Sequence, residues 1–472
     1  MLIRNAEVDS GTTTDLRLTD AIVTGIGPQL EALAGEEVLE ADGGLLLPGL
    51  QDHHLHLLAL AGALDSAACG PPQVRTAEEL AQSLLQHAAA NAGDSEGWIR
   101  GIGYHQSVAG DIDRDWLDRL LPTRPLRIQH RSGRLWILNS CALNLLCAGD
   151  DAPLERIAGR PTGRLYDADE WLRQRLGRRL PALARASGLL ASVGVTGVTD
   201  ASPHNGPDEI RHFAAEQARR HLLQDVLAMG GAELDHAAAS DCLRIGARKL
   251  YLREASLPTL EAMRADIMAA HAAGRAVAIH CVTVTELVFA LVALGEAGHQ
   301  HGDRIEHASV APPEVLPMLA AAGVTVVTQP NFVYERGDAY LAEVGAAELP
   351  WLYRGRGFLD AGIALAAGTD APFGEADPWR AMHAAVTRRS RNGALMDGAE
   401  ALSPERALAL FSASAQDPGG PPRRIVPGSR ADLCLLDRPW REARRDLSAV
   451  RVQATLKAGQ VIWQRQPRAP AI

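Results

Sequence analysis

Three histidines fall within four positions of an otherwise apolar run, QDHHLHLLALA at residues 51–61. The run is entered through LLLPGL, so it reads as a buried strand that follows a Pro-Gly corner. Side chains alternate along a strand, which puts Asp52, His54 and His56 on one face and His53 with Leu55 on the other. Two imidazoles on one strand face are spaced to grip a divalent metal ion, whereas inert interior histidines have no need of such pairing. Asp52, on the same face, is a candidate to orient the ligands.

A second signal is the choice of cation. The chain has 47 basic residues, and only Lys249 and Lys457 among them are lysines. Lys457 lies in TLKAGQVIW, a hairpin-like segment near a turn. Lys249 lies in ARKLYL, inside a predicted strand, where an unpaired charge is costly. A lysine, unlike an arginine, can lose its proton and react with CO₂. The resulting carbamate has two oxygens with which to bridge two divalent metals.

The elements that must position these groups follow from periodicity. From about residue 193 onward, apolar strands (VGVTGVTDA, LLQDVLAMG, ARKLYL, AVAIHCV, DRIEHASV, VTVVTQP, IALAAGTDAP) alternate with amphipathic helices. Several helices open on Pro or Thr and close on Gly. Such alternation implies parallel strands joined by crossover helices. With the histidine-bearing strand the count is eight, the number that closes a (β/α)₈ barrel. The expected fold is α/β, a deformed (β/α)₈ TIM-like barrel over residues 48–423. Residues of about 62–190 form an insertion after the first strand. Short β-like runs at the two ends, 1–47 and 424–472, pair into a small composite β-sandwich.

A barrel of this kind builds its site at the C-terminal ends of its strands. Those ends offer His54, His56, Lys249, His280 (AIHCV), His307 (RIEHAS) and Asp370 (AAGTDAP). Singly, each has an ordinary structural explanation; jointly, they point at one cavity. Cys281 follows His280 and faces away, which argues against a thiol nucleophile.

The segments LLLPGLQDHHLHL, GRPTGRLYDADEW, ARKLYL, AVAIHCV, DRIEHASV, AAGTDAPF and PGSRADLCLLD resemble those of the metal-dependent amidohydrolase superfamily, amidohydrolase family 3, in its formamide deformylase-like branch. The resemblance implies His54, His56 and Asp370 on one metal, His280 and His307 on another, and carbamylated Lys249 between them. It implies two Zn²⁺ per chain, with Asp370 as general base and then acid while a metal-activated hydroxide cleaves an amide, N-acyl or related C–N bond. The chain departs from the family where LREASLP follows the lysine, and where Arg134 stands at a position often held by histidine. Candidate substrate contacts are Arg134, Trp136, Asn139, Arg164 and Tyr166 in the insertion, and Asn331 and Tyr334 after the seventh strand.

Two other readings compete. One is a mononuclear deaminase or amidine hydrolase, which has no use for a carbamate at Lys249. The other is a metal-binding barrel that senses or scaffolds without turnover, which has no use for the complete ligand set with Asp370.

Composition narrows the partners. A formal net charge of −10 argues against nucleic-acid and anionic-membrane surfaces. No signal peptide or apolar run of membrane-spanning length appears. Six scattered cysteines without a CxxC suit a reducing cytoplasm. The expected partner is a small-molecule substrate, and a homo-oligomer is compatible with the sequence.

Overall fold

The computed structural model describes residues 1–8, 11–90, 97–146, 153–177 and 180–466; Cys147 lies outside them. The chain divides into two compact units, Met1–Leu57 with Ala182–Ile472, and Leu58–Pro181.

The first unit holds an eight-stranded parallel sheet whose strands follow chain order. They are β1 (Leu50–Leu55), β2 (Val195–Asp200), β3 (Asp225–Gly230), β4 (Leu243–Tyr251), β5 (Val277–Cys281), β6 (Arg304–His307), β7 (Thr325–Thr328) and β8 (Leu365–Ala367). All six residues of β1 are buried, as are all of β2, β6 and β8. Burial on both faces is what a parallel sheet covered by helices demands.

Helix boundaries follow the local chemistry anticipated from sequence. Thr259 Oγ1 accepts from Ala262 N (3.2 Å) at the start of Leu260–Ala272. Thr283 and Glu286 form a reciprocal capping box on Val284–Ala297, which ends at Gly298 with φ +83°.

The barrel closes between the end of β8 and β1. Thr369 N donates to Asp52 Oδ1 (3.0 Å), Asp370 N to the His54 carbonyl (2.8 Å), and His56 N to the Ala371 carbonyl (2.8 Å). Gly368 permits this approach, because a Cβ there would lie 2.4 Å from His54 N.

Two four-stranded sheets complete this unit. One contains Leu2–Glu7, Thr13–Thr19, Ile22–Gly27 and Val38–Glu40; the other contains Leu46–Pro48, Leu433–Leu436, Val452–Lys457 and Gln460–Gln464. Leu46–Pro48 pairs antiparallel with Leu433–Leu436, so strands from both halves of the chain build one sheet. Ile3, Leu16, Val23 and Leu39 share a core with Leu46, Leu433, Leu435 and Leu456, which makes the pair a composite β-sandwich. Lys457 is more deeply engaged than its hairpin suggested. Its Nζ lies 2.7 Å from Asp432 and 2.8 Å from Asp225 at the start of β3, tying sandwich to barrel.

The second unit is a six-stranded mixed sheet with its own buried cluster, including Leu80, Leu84, Ile99, Leu126 and Ile128. Among the described residues, no helix is long and apolar enough to cross a membrane.

Candidate metal centre

The inward ends of the barrel strands gather a ring of titratable groups. Among the described residues, His54, His307 and Asp370 each offer a ligand atom within 4.8 Å of the others. His56 Nε2 lies 3.2 Å from Asp370 Oδ1, and His54 Nε2 lies 3.4 Å from the same oxygen. The His280 ring centroid is 4.4 Å from that of His307, which is 4.7 Å from that of His54. His307 therefore sits beside His54 and Asp370 as well as beside His280, a tighter grouping than a strict division between two metals suggests.

Backbone conformation explains how His307 arrives there. Arg304 and Glu306 share one face of β6, and strict alternation would turn His307 away from it. His307 has φ +70° and Ala308 φ +44°, a left-handed exit that swings the imidazole inward. Asp370, at φ +55°, is placed by a similar turn after β8. Non-glycine residues held in this region mark positions that the surrounding structure enforces.

Three of the four candidate-ligand imidazoles are oriented through Nδ1. His54 Nδ1 donates to the Glu306 carboxylate, which Arg304 holds through Nε (2.5 Å) and Nη2 (3.1 Å). Arg304 Nη2 also donates to the His53 carbonyl at 2.7 Å. His307 Nδ1 meets Gln329 Oε1 at 2.6 Å, and the Gln329 amide nitrogen donates to the Val327 carbonyl (3.2 Å), which fixes the oxygen toward the ring. His56 Nδ1 lies 3.1 Å from Ser202 Oγ. With Nδ1 engaged, each of these three rings directs Nε2 away from its partner, the arrangement of a metal-ligating histidine.

Asp52 acts on backbone rather than on imidazole. It accepts from His54 N (3.1 Å), Thr369 N (3.0 Å) and Thr369 Oγ1 (2.6 Å), fixing both ligand-bearing segments. Burial pushes its pKa up to about 6.

The electrostatics suit cation binding. Burial first, then the neighbouring positive groups, holds His280 down to about 2 and His307 to about 3, so both rings are neutral. Burial opposes ionisation of Asp370, but the imidazoles of His54 and His56 outweigh it and hold the acid well below the usual range. Burial lowers the Lys249 pKa more than neighbouring carboxylates raise it.

The donor set also passes a direct test of fit. His54 Nε2, Lys249 Nζ and Asp370 Oδ1 are all buried without a hydrogen bond. Unpaired buried polar atoms are rare and costly, and a cation contacting the histidine and carboxylate atoms would satisfy both. A carbamate on Lys249 would remove its ammonium donors and add two oxygens to the same interior.

Most of the remaining predicted residues have structural partners. In the second unit, Arg134 pairs with Asp167 (2.7 and 2.6 Å) and Trp136 is buried. Asn139 makes four hydrogen bonds of 2.7–3.0 Å to main chain. Arg164 donates to the carbonyls of Ile112 (3.0 Å) and Asp111 (2.6 Å), while Tyr166 is exposed. After β7, Asn331 donates to the Thr369 carbonyl (2.9 Å), bracing the segment that carries Asp370. Tyr334 lies between Arg380 (5.7 Å) and Arg391 (5.1 Å). Cys281 is buried.

Sequence reasoning passed over Arg304, Glu306 and Gln329. The available signal was RIEH itself: an arginine and a glutamate in phase inside a barrel strand must form a compensated pair.

An eight-stranded parallel barrel with inward histidines, a lysine and an aspartate at its strand ends defines the class of a barrel metallohydrolase. The amidohydrolase family model matches residues 37–463, and the chain belongs to that family, a hydrolase of carbon–nitrogen bonds. Among its relatives, an N-substituted formamide deformylase of Arthrobacter pascens is 26% identical, covering 91% of this chain and 90% of that protein. An uncharacterized metal-dependent hydrolase of Pyrococcus furiosus shares the fold, with a TM-score of 0.74, 23% identity and coverage of 93% and 98%. A 5-methylcytosine deaminase of Klebsiella pneumoniae aligns at a TM-score of 0.57 and 16% identity, covering 100% of this chain and 99% of that one.

Proposed function

We propose that the protein hydrolyses an amide, N-acyl or related C–N bond of a small molecule at a centre held by His54, His56, Lys249, His280, His307 and Asp370. The observation that carries this reading is the trio of buried atoms without a hydrogen bond, His54 Nε2, Lys249 Nζ and Asp370 Oδ1, beside the imidazoles of His280 and His307. Divalent metal bound there, two Zn²⁺ per chain, supplies Lewis acidity that lowers the pKa of water and polarises the carbonyl. The Asp370 carboxylate accepts the proton of the attacking water and returns it to the leaving nitrogen, a role worth on the order of 10²–10⁴ in rate. Glu306, Gln329 and Ser202 hold the Nδ1 side of His54, His307 and His56, so the rings stay aimed during the reaction.

Lys249 is read as a carbamate. Its neutral amine attacks CO₂, a C–N bond forms and one proton is released; the resulting carboxylate would offer two oxygens to divalent metal held by the surrounding histidines and Asp370. Arginine cannot take this role, because its guanidinium keeps its proton. The formamide deformylase relative supports an amide substrate. Cysteines without a disulfide among the described residues suit the cytoplasm.

The test is elemental analysis of protein purified without chelator and with bicarbonate, alongside hydrolysis of an amide panel. About two metals per chain, falling in Lys249→Arg, supports the bridged centre. About one metal per chain, unchanged in Lys249→Arg, refutes the bridge. Deamination of amidines or aminopyrimidines without amide hydrolysis refutes the proposed reaction.

A further inference from the structure

The floor of the barrel, at the strand ends opposite the metal centre, encloses a second polar cavity. Its volume is about 390 Å³, and it lies between the starts of β1, β3 and β4 and the sandwich strand Leu433–Leu436. Small-molecule sites span about 300–1,000 Å³, so the space admits a compact ligand. Pro48, Val226, Leu227, Ile425 and Leu433 give it an apolar wall, and side chains of both charges line the rest. None of these groups takes part in the proposed hydrolysis.

Several of the charges are matched to one another. Asp432 Oδ2 lies 2.7 Å from Lys457 Nζ and 3.3 Å from Arg430 Nε. Asp225 Oδ2 lies 2.8 Å from the same ammonium and 3.3 Å from Arg430 Nη1. Other groups are left over. Asp225 Oδ1 is buried and has no hydrogen bond. Asp241 and Arg244, both exposed around the start of β4, have no ion pair among the described residues. Arg423 spends Nε on the Ser412 carbonyl (3.2 Å) and Nη2 on the Gly49 carbonyl, so its charge meets main-chain oxygens and no carboxylate at ion-pair distance among the described residues.

Burial lowers the Arg423 pKa while Asp432 and Asp225 raise it, so carboxylates stand near this guanidinium without pairing with it. Opposite charges that face one cavity without touching leave a gap for a ligand that carries both. An anion alone would suit Arg423 and Arg244 but be repelled by Asp225 and Asp241, and a cation alone would meet the reverse. A buried acceptor such as Asp225 Oδ1 also needs a donor, which a bare carboxylate lacks. Cys242 lines the same cavity. Burial first and then Asp225 raise its pKa, so the thiol stands there protonated, as wall and not as nucleophile.

We infer that this cavity binds a small zwitterion, an α-amino acid with an apolar side chain, its carboxylate on Arg423 and Arg244 and its ammonium on Asp225 and Asp241. The apolar wall takes the side chain. Arg423 also holds the carbonyl of Gly49, the residue before β1, and β1 leads to His54 and His56. An occupant that fixes Arg423 therefore steadies the entry of the strand that presents two candidate metal ligands. The site stands independently of the reaction proposed for the metal centre.

The probes are L-leucine, 4-methylpentanoate, which lacks the ammonium, and 3-methylbutylamine, which lacks the carboxylate. Each is titrated calorimetrically into the metal-loaded full-length protein. Leucine should bind at least about tenfold more tightly than either analogue, because each analogue strands one set of charges. Glycine, valine, methionine and phenylalanine extend the panel to other side-chain sizes. Arg244→Ala and Asp241→Ala remove exposed side chains, so each should keep the Tm of the free protein within about 1 °C and weaken leucine binding about tenfold.

A second readout locates the site. Saturating leucine should slow alkylation of Cys242 by iodoacetamide severalfold, followed by peptide mass mapping, while the rate at Cys141 in the other unit stays the same. Equal affinity for leucine and 4-methylpentanoate makes this a simple anion site and overturns the inference. Leucine binding that survives both substitutions, or that leaves Cys242 unprotected, places the amino acid elsewhere, the metal centre included, and overturns it too. Absence of saturable binding by every amino acid in the panel does the same.

Discussion

Glu306→Gln is the substitution that most directly tests how the centre is built. The Glu306 carboxylate is fully buried and holds the His54 Nδ1 proton on one side and Arg304 on the other, at 2.5 and 3.1 Å. Arg304 leads the neighbouring groups that overcome burial and hold Glu306 ionised. Glutamine keeps one acceptor oxygen and puts an amide donor where a second acceptor is needed. Either His54 or Arg304 then faces a donor, and the Arg304 charge is left uncompensated.

Breaking one partner of a buried pair costs about 3–5 kcal/mol. With an unfolding entropy of about 2.1 cal/mol/K per residue over 472 residues, roughly 1 kcal/mol/K, the loss corresponds to a Tm lower by about 3–5 °C. Losing the orienting carboxylate should also weaken metal affinity by about 10–100-fold. The assays are calorimetric melting of the metal-free protein and competition with a chromophoric chelator.

Arg304→Met combined with Glu306→Gln should recover much of the Tm, because no buried charge is then stranded, while metal affinity stays low. A single Glu306→Gln variant with wild-type Tm and wild-type metal affinity would refute the assigned role.

Other substitutions probe the supports around the centre. Asp52→Ala strands three donors, His54 N, Thr369 N and Thr369 Oγ1, at about 1–3 kcal/mol each, and should give a protein that is poorly soluble or melts several degrees lower; Asp52→Asn, which keeps one acceptor, should be milder. Gly368→Ala places a methyl group 2.4 Å from His54 N and should loosen barrel closure, read as reduced metal content together with a lower Tm. Arg134→Ala removes an exposed ion pair with Asp167 and should change stability by less than about 1 kcal/mol in denaturant titration. A large effect of Arg134→Ala on KM with unchanged stability would support it as a substrate contact.

Much of this protein is written in local patterns. The alternation of apolar strands with capped helices is enough to specify a parallel barrel, because crossover geometry admits few other solutions. Lys249 is one of two lysines in a chain that otherwise uses arginine, and the His-x-His spacing on β1 needs only the two-residue period of a strand.

Other features depend on tertiary structure. Strand period would turn His307 away from the Arg304–Glu306 face, and two successive left-handed residues, His307 at φ +70° and Ala308 at φ +44°, reverse that. The jobs of Glu306 and Gln329 depend on which imidazoles lie opposite them, 252 and 22 residues away in sequence. Residue type alone makes Arg134, Asn139 and Arg164 candidate substrate contacts, and only the folded chain shows the partners that hold them within the second unit. Periodicity is a property of the backbone and is legible locally. Hydrogen-bond partners and the charges that meet in one cavity, such as Asp225 and Arg423, are set by distant segments, and only the folded chain decides them.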